Sequence, residues 1–206
     1  MTSSTEESSA DVVPPASWPW SPASSLSMRG VELRPSREQD SEELFFVLDH
    51  DVVWTHVKGR PASANEWATI ISTAQGLGRW MWTVRRDDVV VGSTSFLDLS
   101  VADARVEIGH TTYAPSVWGS EVNAACKLLL MTWAFETASM NRVQLKTDLR
   151  NVRSQRAIEK LGAMREGVLR MYQRRQDNTI RDTVLYSVLA QEWPTVKQGL
   201  AERLMP

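Results

Sequence analysis

The sequence has one cysteine among 206 residues, so no disulfide framework can form within it and a reducing compartment is expected. That residue, Cys126, lies inside an apolar run at helical spacing, which reads as a small buried thiol rather than a nucleophile. An excess of either charge is also missing: 23 basic residues face 25 acidic ones, and the formal net charge is −2. Nothing in this balance asks for nucleic acid, although a phosphate-bearing ligand needs only a helix start and two or three local cations. No run approaches the roughly 18 apolar residues of a membrane helix, and the N-terminus lacks the basic-then-apolar order of a signal peptide. A cytoplasmic protein with no membrane partner is expected.

What is present suits one domain: 42% hydrophobic and 23% charged residues in a chain rather short for two cores. Residues 1–27, "MTSSTEESSADVVPPASWPWSPASSLS", are dense in Ser, Pro and acids and read as a disordered tail, leaving residues 28–206 as the domain. Trp18 and Trp20 in "WPW" either dock on that domain or stay loose with the tail; composition favours the tail.

From Val31 the pattern is regular. "VELRPSR" predicts a strand and "REQDSEELFFVLD" an amphipathic helix; "SANEWATIISTAQ" predicts a helix capped by Ser63 with Glu66 completing a capping box. "RWMWTVRRDDVVVGSTSFLDL" reads as two strands about Asp87-Asp88, and "ARVEIGHTTYA" as the third strand of an antiparallel meander. A helix follows over about 119–138, then an alternating strand "NRVQLKTDL", a short helix "NVRSQRAIEKLGA", a hairpin about Asp177-Asn178 and a brief last helix. A strand, helix, strand step inside this order requires a right-handed crossover and one parallel pair in an otherwise antiparallel sheet, a mixed α/β architecture. Interest centres on the end of the strand before the crossover, where strand end and helix start meet.

Three stretches, "VEIGHTTYAPSVWGSEVNAACKLLL", "LKTDLRNVRSQRAIEKLGAMREG" and "RRQDNTIRDTVLYSV", together make residues 30–194 resemble the GNAT superfamily of acyl-CoA-dependent N-acyltransferases, in the branch of the ribosomal-protein acetyltransferases RimJ and RimL. The resemblance implies a GNAT-type sheet, split where two parallel strands, 104–113 and 142–148, diverge. It implies acetyl-CoA as cosubstrate, no metal, and an amine acceptor, either a protein N-terminus or a small molecule. The pantetheine arm would pair with the backbone of Thr111 and Thr112, the pyrophosphate would sit on Gly119, Ser120, Glu121, Val122 and Asn123, and Asn151 would grip a pantetheine amide. Glu121 stands where the family usually has a second glycine. A carboxylate about 4 Å from a phosphate costs several kcal/mol at an effective dielectric near 20, unless it points outward and favours its own helix start or is offset by Lys127, Arg150 and Arg153.

For the chemistry, Glu107 matches a glutamate common in this branch and is the base, or else is a strand carboxylate paired with Arg105 or Arg142. Ser154 matches the hydroxyl that reaches the leaving thiolate, or is a helix cap. His110 reads as wall. Tyr172 and Asp182 would face the acceptor. Among nine tryptophans, Trp54, Trp80 and Trp82 come from segments bordering the acceptor cleft, and 80 and 82 share a strand face, giving either an apolar wall or core. Glu121 also motivates a second reading, a regulatory module that binds CoA or acyl-CoA without turnover. A homodimer is compatible with all of this.

Overall fold

The computed structural model describes residues 15–21 and 25–205. The strands are β1 (Leu26–Met28), β2 (Val31–Pro35), β3 (Trp80–Arg86), β4 (Val89–Ser100), β5 (Arg105–Tyr113), β6 (Arg142–Asp148), β7 (Met164–Arg174) and β8 (Ile180–Leu189). They form one sheet in the order β1-β2-β3-β4-β5-β6-β8-β7. The helices are α1 (Ser41–Leu48), α2 (Asp51–Trp54), α3 (Ala64–Ala74), α4 (Val122–Thr132, continued by a π-helical turn over Trp133–Thr137), α5 (Val152–Glu159) and α6 (Trp193–Arg203). The mixed α/β expectation holds: β5 and β6 are parallel and every other neighbouring pair is antiparallel.

Strand period sorts the side chains onto two faces. Val84, Phe96, Val106, Ile108, Val143, Leu145 and Tyr186 join α4 and α6 in one buried cluster. On the opposite face a smaller cluster of Leu44, Leu48, Trp67, Met81 and Val90 seats α1 and α3. The meander turns at Asp87 and Asp88, whose φ of 48° and 65° fit a two-residue hairpin turn that Asp tolerates. The α3 start is capped as expected, Ser63 Oγ accepting from the Glu66 N–H at 3.2 Å, but the Glu66 carboxylate accepts from Ala62 N–H rather than from Ser63.

The expected loose tail lies outside the described residues at 1–14 and 22–24; where it is described, it departs from that expectation. Trp18 meets Trp80, Phe96 and Trp133 edge-on at ring distances of 5.0, 5.4 and 4.7 Å, and Trp20 meets Trp82 at 4.7 Å. Ser17 N–H donates to Ala138 O, and β1 pairs with β2 from Leu26 onward. Average composition misses this because two indoles carry enough apolar surface to anchor a segment that is otherwise Ser and Pro.

Candidate active site

The parallel pairing of β5 with β6 runs over Arg105–Arg142, Val106–Val143 and Glu107–Gln144 and then stops, although β5 continues to Tyr113 and β6 to Asp148. The sheet is therefore open from Ile108 on. On its other side β5 carries a bulge: Ser93 pairs with Thr112 and Ser95 with Gly109, so His110 and Thr111 together oppose Thr94, with His110 at φ 46°. A bulge of this kind takes backbone groups out of the ladder. The threonine side chains are committed to the sheet. Thr111 Oγ1 lies 2.8 Å from Thr94 Oγ1 and accepts from Lys127 Nζ at 3.1 Å, while Thr112 Oγ1 meets Ser93 Oγ at 3.3 Å.

The α4 start faces this opening from the chain that follows β5. Gly119 takes the left-handed φ of 79°, and Ser120 Oγ donates to Val117 O and accepts from Val122 N–H. Val122 itself is buried in the core and Asn123 is half-buried. The N–H groups of Gly119, Glu121, Asn123 and Ala124 meet no acceptor among the described residues. The Glu121 carboxylate is held by Arg86 Nη2 at 2.8 Å, which neutralises the charge in place of any phosphate-offsetting lysine. Lys127 does not serve that purpose: it is turned inward to Thr111, and burial pulls its ammonium down to about 8. Arg153 lies flat over Trp118 at 3.6 Å, and Trp118 Nε1 donates to Tyr113 O, so an arginine is fixed beside the turn. Cys126 is buried, and desolvation pushes its thiol up to about 11, in keeping with an inert side chain.

Glu107 is buried on the face opposite α4 and pairs with Lys146 Nζ at 2.8 Å, not with an arginine: Arg105 reaches Asp98, and Arg142 reaches Glu166. Lys146 also donates to the Tyr172 hydroxyl at 3.0 Å. Desolvation opposes the Lys146 charge, yet the bonds to Glu107 and Tyr172 outweigh it and hold the ammonium above its ordinary value. Tyr172 reaches this point because β7 carries two extra residues between Leu169 and Gln173. Asp182 closes that bulge by accepting from Met171 N–H at 2.7 Å, so one of its oxygens is spent on backbone. On α5, Asn151 Oδ1 accepts from Ser154 N–H at 3.0 Å. Asn151 is the cap, and the Ser154 hydroxyl has no partner among the described residues.

A cavity of about 260 Å³ lies on the Glu107 face under α2 and α3, lined among others by Trp54, Trp67, Ile70, Arg79, Ser93, His110 and Thr112. Trp54 and His110 thus line one cavity together. Burial, with the charges of Arg79 and Arg181 adding to it, lowers His110 to about 4, so the ring is neutral at pH 7. Trp82 is a correction: it has no exposed surface and packs on the α4 face against Trp20 and Phe96, because the face shared by residues 80 and 82 turns toward α4. The sequence reading missed Arg79, Lys146 and the α2 turn. Arg79 precedes a strand without any pattern to mark it, whereas Lys146 was readable only as an alternating polar position.

No group of three or more His, Cys, Asp or Glu that could hold a metal occurs among the described residues, and no described helix is long and apolar enough to cross a membrane. A mixed sheet split at its one parallel pair, followed by a helix start, is the arrangement that the acyltransferase resemblance implies. The family profile described as an acetyltransferase (GNAT) domain matches residues 31–164, and the chain belongs to that family. It is similar to a candidate acetyltransferase of T. thermophilus, with a TM-score of 0.80 and 38% identity over 90% of this chain and 100% of the other. It is 26% identical to the N-acetyltransferase p20 of Bacillus licheniformis over 56% of this chain, and spans 64% of p20's length. Mycobacterium smegmatis RimJ, solved in complex with CoA-disulfide, shares the fold at a TM-score of 0.76 and 20% identity, over 87% of this chain and 93% of that one.

Proposed function

We propose that the protein is an acetyl-CoA-dependent N-acetyltransferase in which an amine attacks the thioester directly. The observation that carries this reading is the sheet opening after Glu107–Gln144, faced by an α4 start whose Gly119, Glu121, Asn123 and Ala124 amides have no partner among the described residues. Unpaired amides at a helix N-terminus suit a diphosphate, and the Arg86 pairing of Glu121 removes the main objection to one. That RimJ of M. smegmatis, which shares the fold, was solved in complex with CoA-disulfide supports a CoA ligand here.

The fit extends along the split. The open edge of β5 at Thr111 and Thr112 offers amide and carbonyl groups to the pantetheine amides in the manner of an added strand. Asn151 keeps its amide N–H group for the same arm once its oxygen has capped α5. Acetyl-CoA supplies the activated acetyl group. This chain's own residues then divide the work. Glu107, paired with Lys146, takes the amine proton directly or through a water. A backbone N–H freed at the His110–Thr111 bulge stabilises the developing oxyanion. The partnerless Ser154 hydroxyl gives a proton toward the departing sulfur. With Glu121 neutralised, nothing in the site favours the reading of a binding module without turnover.

Release of free thiol from acetyl-CoA across a panel of peptide N-termini and small amines tests this. Glu107→Gln is expected to lower kcat by about a hundredfold while the acetyl-CoA affinity, read by calorimetry, stays within about twofold, as removal of a general base predicts. Affinity without release on any amine points to the binding module; no affinity for CoA or acetyl-CoA sinks both readings.

A further inference from the structure

Arg79 enters β3 with its backbone N–H on Ala74 O and its Nε donating to Ser95 Oγ at 2.9 Å. That bond occupies one edge of the guanidinium. The Nη1 and Nη2 end has no acceptor among the described residues, and Arg79 makes no described ion pair. The side chain is largely desolvated, and burial alone lowers it to about 10, so it stays charged at neutral pH. Neither the 260 Å³ cavity it lines nor the small adjoining pocket beside Lys58, Arg175 and Arg181 has an Asp or Glu in its wall. The groups that line the cavity with Arg79 are indoles, aliphatic side chains, hydroxyls, a neutral imidazole and the exposed Lys58.

A desolvated guanidinium without an anion is a standing cost to the fold, because a partner charge is what normally compensates its lost hydration. The described residues supply none, and the free end presents two parallel N–H groups in the fork that a carboxylate accepts. The cavity falls just below the ~300 Å³ at the small end of ligand pockets, which suits a metabolite or one terminal residue rather than a large molecule. Resting on the acetyl-transfer reading above, we infer that the acceptor amine carries a carboxylate gripped end-on by Arg79. The class is a free amino acid, or a peptide whose first residue is Asp or Glu, with the apolar part of the acceptor against Trp54, Trp67 and Ile70. Lys58 in the same wall is exposed, so the one sheltered guanidinium is matched to a single carboxylate, whereas a phosphate with its second charge would call for a further sheltered cation.

The experiment compares each amine with its uncharged twin: the free amino acids against their carboxamides, and peptides beginning with Asp or Glu against those beginning with Asn or Gln. Thiol release from acetyl-CoA is expected to favour the carboxylate member of at least one pair by about tenfold or more in kcat/KM, as befits a charged hydrogen bond. The pair that shows it identifies the source. Arg79→Gln should abolish that preference by raising the acceptor KM, with the acetyl-CoA KM unmoved, and Arg79→Lys should keep part of it. Equal use of both members in every pair, or a preference that survives Arg79→Gln, overturns the inference. If no amine releases thiol, the acetyl-transfer reading fails, and the anion site is judged separately by quenching of tryptophan fluorescence with the N-acetylated amino acids. Quenching by the acids that Arg79→Gln removes upholds the site; equal quenching by their amides, or none, overturns it. An unchanged melting temperature for Arg79→Gln excludes misfolding as the cause.

Discussion

On the sheet face opposite α4, the two sides of the split treat charge in opposite ways. Under α2 and α3, the half-buried Arg79 and the partly solvent-exposed His110 have no acid against them among the described residues. Across the split three cations have a carboxylate: Lys146 with Glu107 at 2.8 Å, Arg142 with Glu166 at 2.5 Å, Arg175 with Asp148 at 2.6 Å. These pairs tie β5, β6, β7 and the β7–β8 turn together; Arg181, whose Nε donates to the Thr183 hydroxyl, is the exception on that side. The unpaired side is a surface whose compensation has to come from outside the chain, which is where an acceptor enters.

The largest expected break in this comparison is a titration. The folded pKa of His110, about 4, lies below the ordinary value near 6.5, so as pH falls the unfolded chain takes up the proton first. Stability is then full above about pH 6.5 and is lost progressively toward pH 4. Asn tolerates the φ of 46° at this position, so His110→Asn should flatten urea-derived stability between about pH 6.5 and 4.5. Equal slopes in the two proteins would mean that the ring is solvated, and the unpaired side would lose its distinction.

The same contrast passes through the sheet to Lys127, which is buried against Thr111 with no acid on it among the described residues and is lowered to about 8. Lys127→Met should raise stability at pH 7 by about 2 kcal/mol, since relief of desolvation exceeds one lost hydrogen bond of about 1 kcal/mol. In a chain of this length that corresponds to a rise in Tm of roughly 4–8 °C. The unfolded wild type binds more protons between about pH 8 and 10.5, so its stability climbs over that window, and the climb should vanish in the variant. A fall in Tm would show the ammonium to be compensated after all.

How far the sequence revealed this site follows from the range of each signal. The α4 run, the alternation of β6 and the meander were legible because their periods are local, and the parallel crossover followed from their order. The bulges at His110–Thr111 and Arg170–Tyr172 were not, because each is held by contacts distant in sequence, such as Asp182 on the Met171 N–H. Strand alternation correctly put residues 80 and 82 on one face but could not say which face looks at α4, so Trp82 was misplaced in the cleft. Glu121 raised the right concern, and only the fold shows Arg86 beside it. The unpaired state of Arg79 is a property of its surroundings and has no sequence signature.

The smallest effect tests the paired side. Glu166 takes two N–H bonds from Arg142, at 2.5 and 2.6 Å, and one hydroxyl bond from Ser187 at 2.7 Å. Arg142 foremost, against the pull of desolvation, holds its carboxyl down to about 2, so its contribution is present above about pH 4.5 and lost as pH falls toward 2. The side chain is 32% exposed, and solvent screening reduces the worth of the charge to about 1 kcal/mol. Glu166→Gln, which keeps an acceptor but not the charge, should therefore lower Tm by roughly 2–4 °C, with most of the difference erased in about 1 M salt. Arg79→Gln, made in parallel, should be close to neutral, because relief of an uncompensated charge offsets the loss of its one hydrogen bond to the buried Ser95 hydroxyl. If Arg79→Gln proves the more destabilising of the two, its guanidinium is already satisfied within the fold, and the case for an anion arriving with the acceptor falls with it.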